Sequence, residues 1–217
     1  MEPTQSTAKN EIEIEPVTRL EGHGKVTIVL SKGKVKDVQF NVTSVRFFEK
    51  FLEGRRAEDA PIITPRICGI CPQPHHLASV KAVEDAWGVT PPPTANKLRE
   101  LMLLGKMIQS HALHFYALAA PDFVVGPFAD PSARNVVTVA KHLPDVATKG
   151  LELMRHGQEL AGLIGGKPIH PVTAIPGGMS KPLPEKDRDG WLKKMRRIME
   201  LAEFTANLGL KVVESYW

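Results

Sequence analysis

The spacing of apolar and polar positions divides the chain into a short β-patterned beginning and a long helical remainder. Lys25–Leu30 is rich in β-branched residues, Ser31–Lys34 is turn-like, and Val35–Val42 alternates apolar with polar. Together they predict a hairpin with one buried face. Beyond it the apolar repeats take helical spacing. Val45–Leu52 predicts a short core helix that buries Phe48, Phe51 and Leu52. A helix from His75 to Trp87, carrying Leu77 and Val80, ends at Gly88, since only glycine accepts a left-handed cap at little cost. Pro91-Pro92-Pro93 breaks the chain, and Thr94 is the expected N-cap of a long helix over Ala95–Ala120 that Pro121 ends.

After a loop over Asp122–Ser132, helices are expected over Asn135–His142 and Pro144–Ile164, the latter stopped by Gly165-Gly166. Lys167–Pro184 reads as an ordered, irregular connection. A last helix runs from Glu185 to Trp217 with Trp191, Met195, Ile198, Leu201 and Phe204 on its apolar side. The fold class is therefore mainly α with a small N-terminal β hairpin, an α+β arrangement. Residues 1–10 read as a frayed tail and 11–217 as one folded unit.

Composition narrows the function. With 217 residues, 42% of them hydrophobic and 24% charged, the chain can build one sizeable core. The formal charge of +4 comes from scattered Lys and Arg with acids beside them, which argues against a nucleic-acid partner. No apolar run is long enough for a membrane span, and the polar start lacks the apolar stretch of a secretory signal. A cytoplasmic protein is expected.

The candidate chemistry is concentrated in Thr64–His76, which holds both cysteines of the chain, Cys68 and Cys71, with His75 and His76 directly after them. Gly69 between the thiols is expected to relieve the backbone through a positive φ, and Pro72 and Pro74 to hold the loop in turn or extended geometry until His75. Four uses of such a pair are open. A disulfide is disfavoured without a secretory signal, and a thioredoxin-type redox pair lacks its preceding strand. A zinc site with a histidine lacks a second ligand pair, and a softer thiolate-held metal centre is the fourth. Glu21 and His23, beside Gly22, are a carboxylate and an imidazole of unassigned role. His111 and His114, three apart, read as hydrogen-bonded core histidines that could serve a proton path. Gly177-Gly178 lacks the ending of a phosphate loop.

In order along the chain, Glu15–His23, Glu49–Arg55, Arg66–Cys71 with His75, Ser110–Tyr116 and Gly165–Gly178 resemble segments of the large subunit of nickel-iron hydrogenases. The wording is most similar to the cytoplasmic, F420-non-reducing type of methanogens. The resemblance implies the helical-bundle large-subunit fold and reversible heterolytic cleavage of H2 at a nickel-iron centre whose iron carries CO and cyanide. It implies Cys68 as a terminal nickel ligand, Cys71 as a nickel-iron bridge, and His75 hydrogen-bonding near the bridging sulfur. It further implies Glu21 as the proton relay and Glu49 as a ligand of a structural Mg²⁺. Phe47 departs from the family pattern, which usually has Gly there. Iron-sulfur clusters would lie only in a partner small subunit, with further electron-transfer subunits beyond it, since this chain has too few cysteines to hold a cluster.

Such a centre uses four thiolates, and this chain contains two cysteines. The sequence also stops within a helical pattern at Trp217, so it reads as the N-terminal half of a large subunit, with the remaining thiolates on a missing C-terminal half or a split partner. Alone it is expected to be inactive. The competing readings are a non-catalytic structural or electron-transfer subunit like that of complex I, and a zinc-binding scaffold.

Overall fold

The computed structural model describes residues 10–18 and 20–216. The chain divides into two compact units, Met1–Glu53 and Gly54–Trp217. The tail expected over 1–10 lies, apart from Asn10, outside the described residues.

The first unit is an antiparallel sheet of β1 (Glu11–Ile14), β2 (Gly24–Ser31) and β3 (Lys34–Val42), in that order. The β2–β3 hairpin forms as expected, with a register shift at Val29/Leu30. Strand β1 is additional. Its four residues Glu-Ile-Glu-Ile do alternate, and Ile12 and Ile14 pair with Ile28 and Val26. The expected buried face is absent from β3, where Val38, Phe40 and Val42 are 58%, 56% and 65% exposed. A hairpin pattern marks which residues share a face, but burial needs a layer packed on that face. The short helix α1 (Phe48–Leu52) likewise contains no buried residue, and Phe51 is exposed, contrary to the expected core helix.

The second unit is helical. A short α2 (Ala60–Ile63) and a 3₁₀ turn over Thr64–Ile67 lead into α3 (Pro72–Trp87). After it come α4 (Pro93–Leu113), a π-helical turn over His114–Ala119, α5 (Ala120–Val124), α6 (Val136–His142) and α7 (Pro144–Gly165). A minimal hairpin, β4 (Ala174–Ile175) with β5 (Gly178–Met179), precedes α8 (Glu185–Glu214).

Three proline positions differ from expectation. Pro72 and Pro93 sit inside first helical turns, where the missing N–H would have no intrahelical partner anyway, while Pro121 directly follows a π-helical turn. Pro92, not Thr94, is accordingly the N-cap of α4. Pro121 does not end its helix. The π turn just before it passes the Ala120 N–H to the Phe115 carbonyl, five residues back, and the helix resumes.

The core lies along α4 and α7. At one end Met102 of α4, Leu160 and Ile164 of α7, and Leu77 and Val80 of α3 close over Ala174. At the other end Ala112, Tyr116 and Leu153 meet Ile198 and Leu201 of α8. Glycines set the α4–α7 distance. A Cβ on Gly105 would lie 2.9 Å from the Ala161 nitrogen, and one on Gly157 would lie 2.5 Å from the Gln109 nitrogen. Between α4, α7 and α8 an apolar groove of about 830 Å³ remains open. His111 and His114 line it and are exposed, so they are not core histidines. The His111 Nδ1–H donates to the Met107 carbonyl at 2.8 Å. Among the described residues no helix is long and apolar enough to cross a membrane.

Candidate metal centre

The two cysteines sit on the turn between the Thr64–Ile67 3₁₀ turn and α3. Cys68 is extended (φ −142°, ψ 130°), and Cys71 is the N-cap residue of α3 (φ −124°, ψ 41°). Both are half-buried and no disulfide joins them. The expected positive φ at Gly69 is not used, and a Cβ there would meet open space. The turn is shaped instead by its flanks: Pro65 and Pro72 are fully buried, which pins the backbone on both sides of the thiols.

Helix α3 begins at Pro72, earlier than the restriction by Pro72 and Pro74 implied. His75 therefore lies in its first turn, its N–H donating to the Cys71 carbonyl at 3.4 Å. This places Cys68, Cys71 and His75 on one short, stiff segment. The neighbouring His76 is fully buried and takes a different role. The Ala174 N–H donates to its Nε2 at 3.1 Å, so the proton is on Nδ1, which donates to the Pro61 carbonyl at 2.7 Å. Burial pushes its pKa down, and the neutral ring clamps α3 to both α2 and β4.

Glu21 and Glu49 belong to the first unit. Glu21 is exposed in a bend before Gly22, whose φ of +85° favours glycine, and the His23 N–H donates to Ser44 Oγ at 3.0 Å. His23 is exposed. Glu49 is exposed and accepts from Arg46 Nε at 2.9 Å and Nη2 at 2.5 Å. Its own backbone N–H and then Arg46 hold the carboxyl below its ordinary pKa. Among the described residues no three His, Cys, Asp or Glu side chains gather as a metal-ion site.

Sequence reasoning passed over several buried polar residues of the second unit, Gln73 and Lys106 among them. Gln73, fully buried in the first turn of α3, donates through Nε2 to the Pro168 carbonyl at 3.1 Å, and its Oε1 has no hydrogen-bond partner. Lys106 of α4 is 6% exposed and donates to Gln109 Oε1 at 2.5 Å. Burial pushes the ammonium below its ordinary pKa, and the sulfurs of Cys71 and then Cys68 act against that shift. A signal was available. Ala95, Arg99, Met102 and Lys106 repeat at helical spacing, which puts two cations on the buried stripe of α4.

A pair of unbridged thiols on a proline-pinned turn can supply two ligands to a soft metal ion. The sequence contains no cysteine besides these two.

Comparison with known proteins extends this local picture. Residues 46–132 match the sequence family described as nickel-dependent hydrogenase, and residues 11–45 match one described as HoxL-like. The chain is 56% identical over 206 residues to a vhu-type F420-non-reducing hydrogenase subunit of Methanocaldococcus jannaschii, covering 94% of this chain and 49% of that protein. It is 39% identical over 186 residues to the beta subunit of the NAD-reducing hydrogenase HoxS of Cupriavidus necator, covering 82% and 38% respectively. Its fold superposes on an NAD⁺-reducing [NiFe]-hydrogenase in the H2-reduced state with a TM-score of 0.83 and 41% identity, over 95% of this chain and 46% of the other. The Ni-Fe-Se hydrogenase of D. vulgaris Hildenborough superposes with a TM-score of 0.77 at 32% identity, over 95% and 45%. The chain thus spans about half the length of the curated relatives it matches.

Proposed function

Starting from a chain that belongs to the nickel-dependent hydrogenase family, we propose that it forms the cysteine-bearing N-terminal half of a catalytic large subunit. It would work in the cytoplasm in reversible H2 oxidation. The observation that carries the reading is the pair Cys68 and Cys71, unbridged and half-buried at the start of α3 in a fold shared with solved hydrogenases.

Cys68 would be a terminal nickel ligand and Cys71 a nickel-iron bridge. The other two thiolates would come from polypeptide equivalent to the rest of the relatives' length. When bound, a nickel-iron centre whose iron carries CO and cyanide supplies the heterolytic cleavage of H2. The chain's own residues do the rest. The stiff turn fixes the separation of the two sulfurs, and His75 hydrogen-bonds near the bridging one. Glu21, a carboxylate, would accept and pass on the proton. Glu49 would hold Mg²⁺ only with oxygen donors from outside the described residues. Electrons would leave through the iron-sulfur clusters of a separate small subunit, and through further electron-transfer subunits where these are present.

The test is nickel, iron and zinc analysis of the native complex containing this chain, together with H2-dependent dye reduction. Nickel with iron, both lost with Cys68→Ser or Cys71→Ser, is expected. Zinc alone would replace the reading by a scaffold. Absence of all three would replace it by a non-catalytic, complex I-like subunit. The 217-residue chain by itself is expected to reduce no dye, and turnover by it would sink the divided-site reading.

A further inference from the structure

Helices α4 and α8 both pack on α7 yet leave the apolar groove between them uncovered. Gly105 and Gly157 close the α4–α7 contact, and Arg197 of α8 donates to the Glu152 carboxylate of α7 at 2.9 and 2.7 Å. The π turn that continues α4 also meets α8: the Phe115 ring lies 3.5 Å from where a Cβ on Gly209 would stand, and Tyr116 bonds Thr205. The walls that precede this contact are bare. Leu104 and Met107 of α4 and Leu192, Met195 and Met199 of α8 line the groove and are between 37% and 63% exposed. A contiguous apolar surface of this kind marks an interaction site, and its methionines suit a wall that must fit another apolar face.

The α4 wall, from Leu101 to Phe115, is about 21 Å long, room for about four turns of a further helix. A small ligand would need polar groups to orient it. Here Thr205 already donates to the Leu201 carbonyl, and Arg188 is paired with Asp189 at 2.9 Å. Length points to the occupant. This chain covers 49% of its Methanocaldococcus jannaschii relative, and more than half of the NAD⁺-reducing hydrogenase chain lies outside the superposed part.

We infer that the groove seats one amphipathic helix of the polypeptide equivalent to the relatives' unmatched length. Its apolar face lies between α4 and α8 and completes a four-helix bundle with α7. This rests on the reading of the chain as the N-terminal half of a large subunit, and its test separates the two.

The experiment is photo-crosslinking in the native complex that contains this chain, with benzoylphenylalanine in place of Leu104 or of Met199 and the linked peptides identified by mass spectrometry. Arg196 of α8, which does not line the groove, is the control position. Where a replacement prevents recovery of the complex, Met107 or Leu192 of the same walls takes its place. Both groove positions should link to one segment of the unmatched polypeptide, whether continuous with this chain or separate, at residues in helical spacing, and Arg196 should not link to it. Links to the iron-sulfur subunit, links to a second copy of this chain, or no link at all overturn the assignment of the groove. In each of these cases, nickel, iron and the unmatched polypeptide in the same complex leave the half-subunit reading standing. A native complex without any polypeptide matching the relatives' remaining length overturns both.

Discussion

Arg99 of α4 and Glu84 of α3 face each other as a buried, two-pronged ion pair, Nη1 to Oε2 at 2.9 Å and Nη2 to Oε1 at 2.6 Å. The same Nη2 donates to the carbonyls of Ile175 and Gly178, and the Gly177 N–H donates to Glu84 Oε1 at 2.8 Å. The pair therefore ties two helices to the β4–β5 hairpin. Removing one partner strands a charge in the interior. Arg99→Met or Glu84→Gln should each lower stability by about 3–5 kcal/mol, and the double replacement Arg99→Met with Glu84→Leu should cost less than the sum. Urea unfolding of the single and double variants reads this directly.

Acid should weaken the fold in two stages. His76 has its pKa depressed by burial, so its contribution is complete above the ordinary histidine value of 6.5 and is lost as pH falls from there toward the lower folded value. Glu84 has its pKa lowered, first by its hydrogen bond to Arg99, so its contribution is complete above 4.5 and is lost as pH falls below that. His76→Asn, which can still donate to the Pro61 carbonyl, should flatten the upper stage and leave the lower one. Urea midpoints measured at intervals from about pH 8 to pH 3 distinguish the stages, and an unchanged upper stage in His76→Asn would refute the assignment.

Two glycines in helices should respond to alanine with opposite signs. Gly157→Ala would press a methyl onto the Gln109 backbone of α4 and should cost about 2–3 kcal/mol, because backbone cannot swing aside. Gly190→Ala on α8, where a Cβ meets open space, should stabilise by about 0.5–1 kcal/mol. Paired thermal melts settle both.

Tyr116 reaches α8 from the π turn. Thr205 donates its hydroxyl to the Leu201 carbonyl, so the Tyr116 hydroxyl donates to Thr205 Oγ1 at 2.8 Å. Tyr116→Phe should cost about 1 kcal/mol, the usual net worth of one such bond. Gly150→Ala should cost more, since its methyl would run into the Tyr116 ring.

The long helices were legible because their apolar stripes are continuous, and Gly88 and Gly166 close α3 and α7 with φ of +65° and +79°. The prolines misled because the same residue that breaks a helix inside it suits its first turn, and sequence alone does not say which turn it occupies. The candidate site was legible as a cysteine motif but not as an environment. Lys106 looks like any helical lysine in the sequence, and only the fold shows it buried. His111 and His114 looked interior because their neighbours are apolar, yet they line an open groove. The sheet shows the same limit: the alternation of Val38, Phe40 and Val42 is real, but alternation does not supply the layer that would cover it.

Pro65, Pro72 and Pro74 flank Cys68 and Cys71, and each fixes its own φ and narrows the residue before it, so the unfolded chain has few backbone states on either side of the thiols while Gly69 and Ile70 between them stay free. Bringing two sulfurs to one ion ordinarily costs conformational entropy at the moment of capture. Were the two sulfurs to take one ion, part of that loss would already be met by the flanking prolines, and the ordering left to make would fall on Gly69 and Ile70 between them.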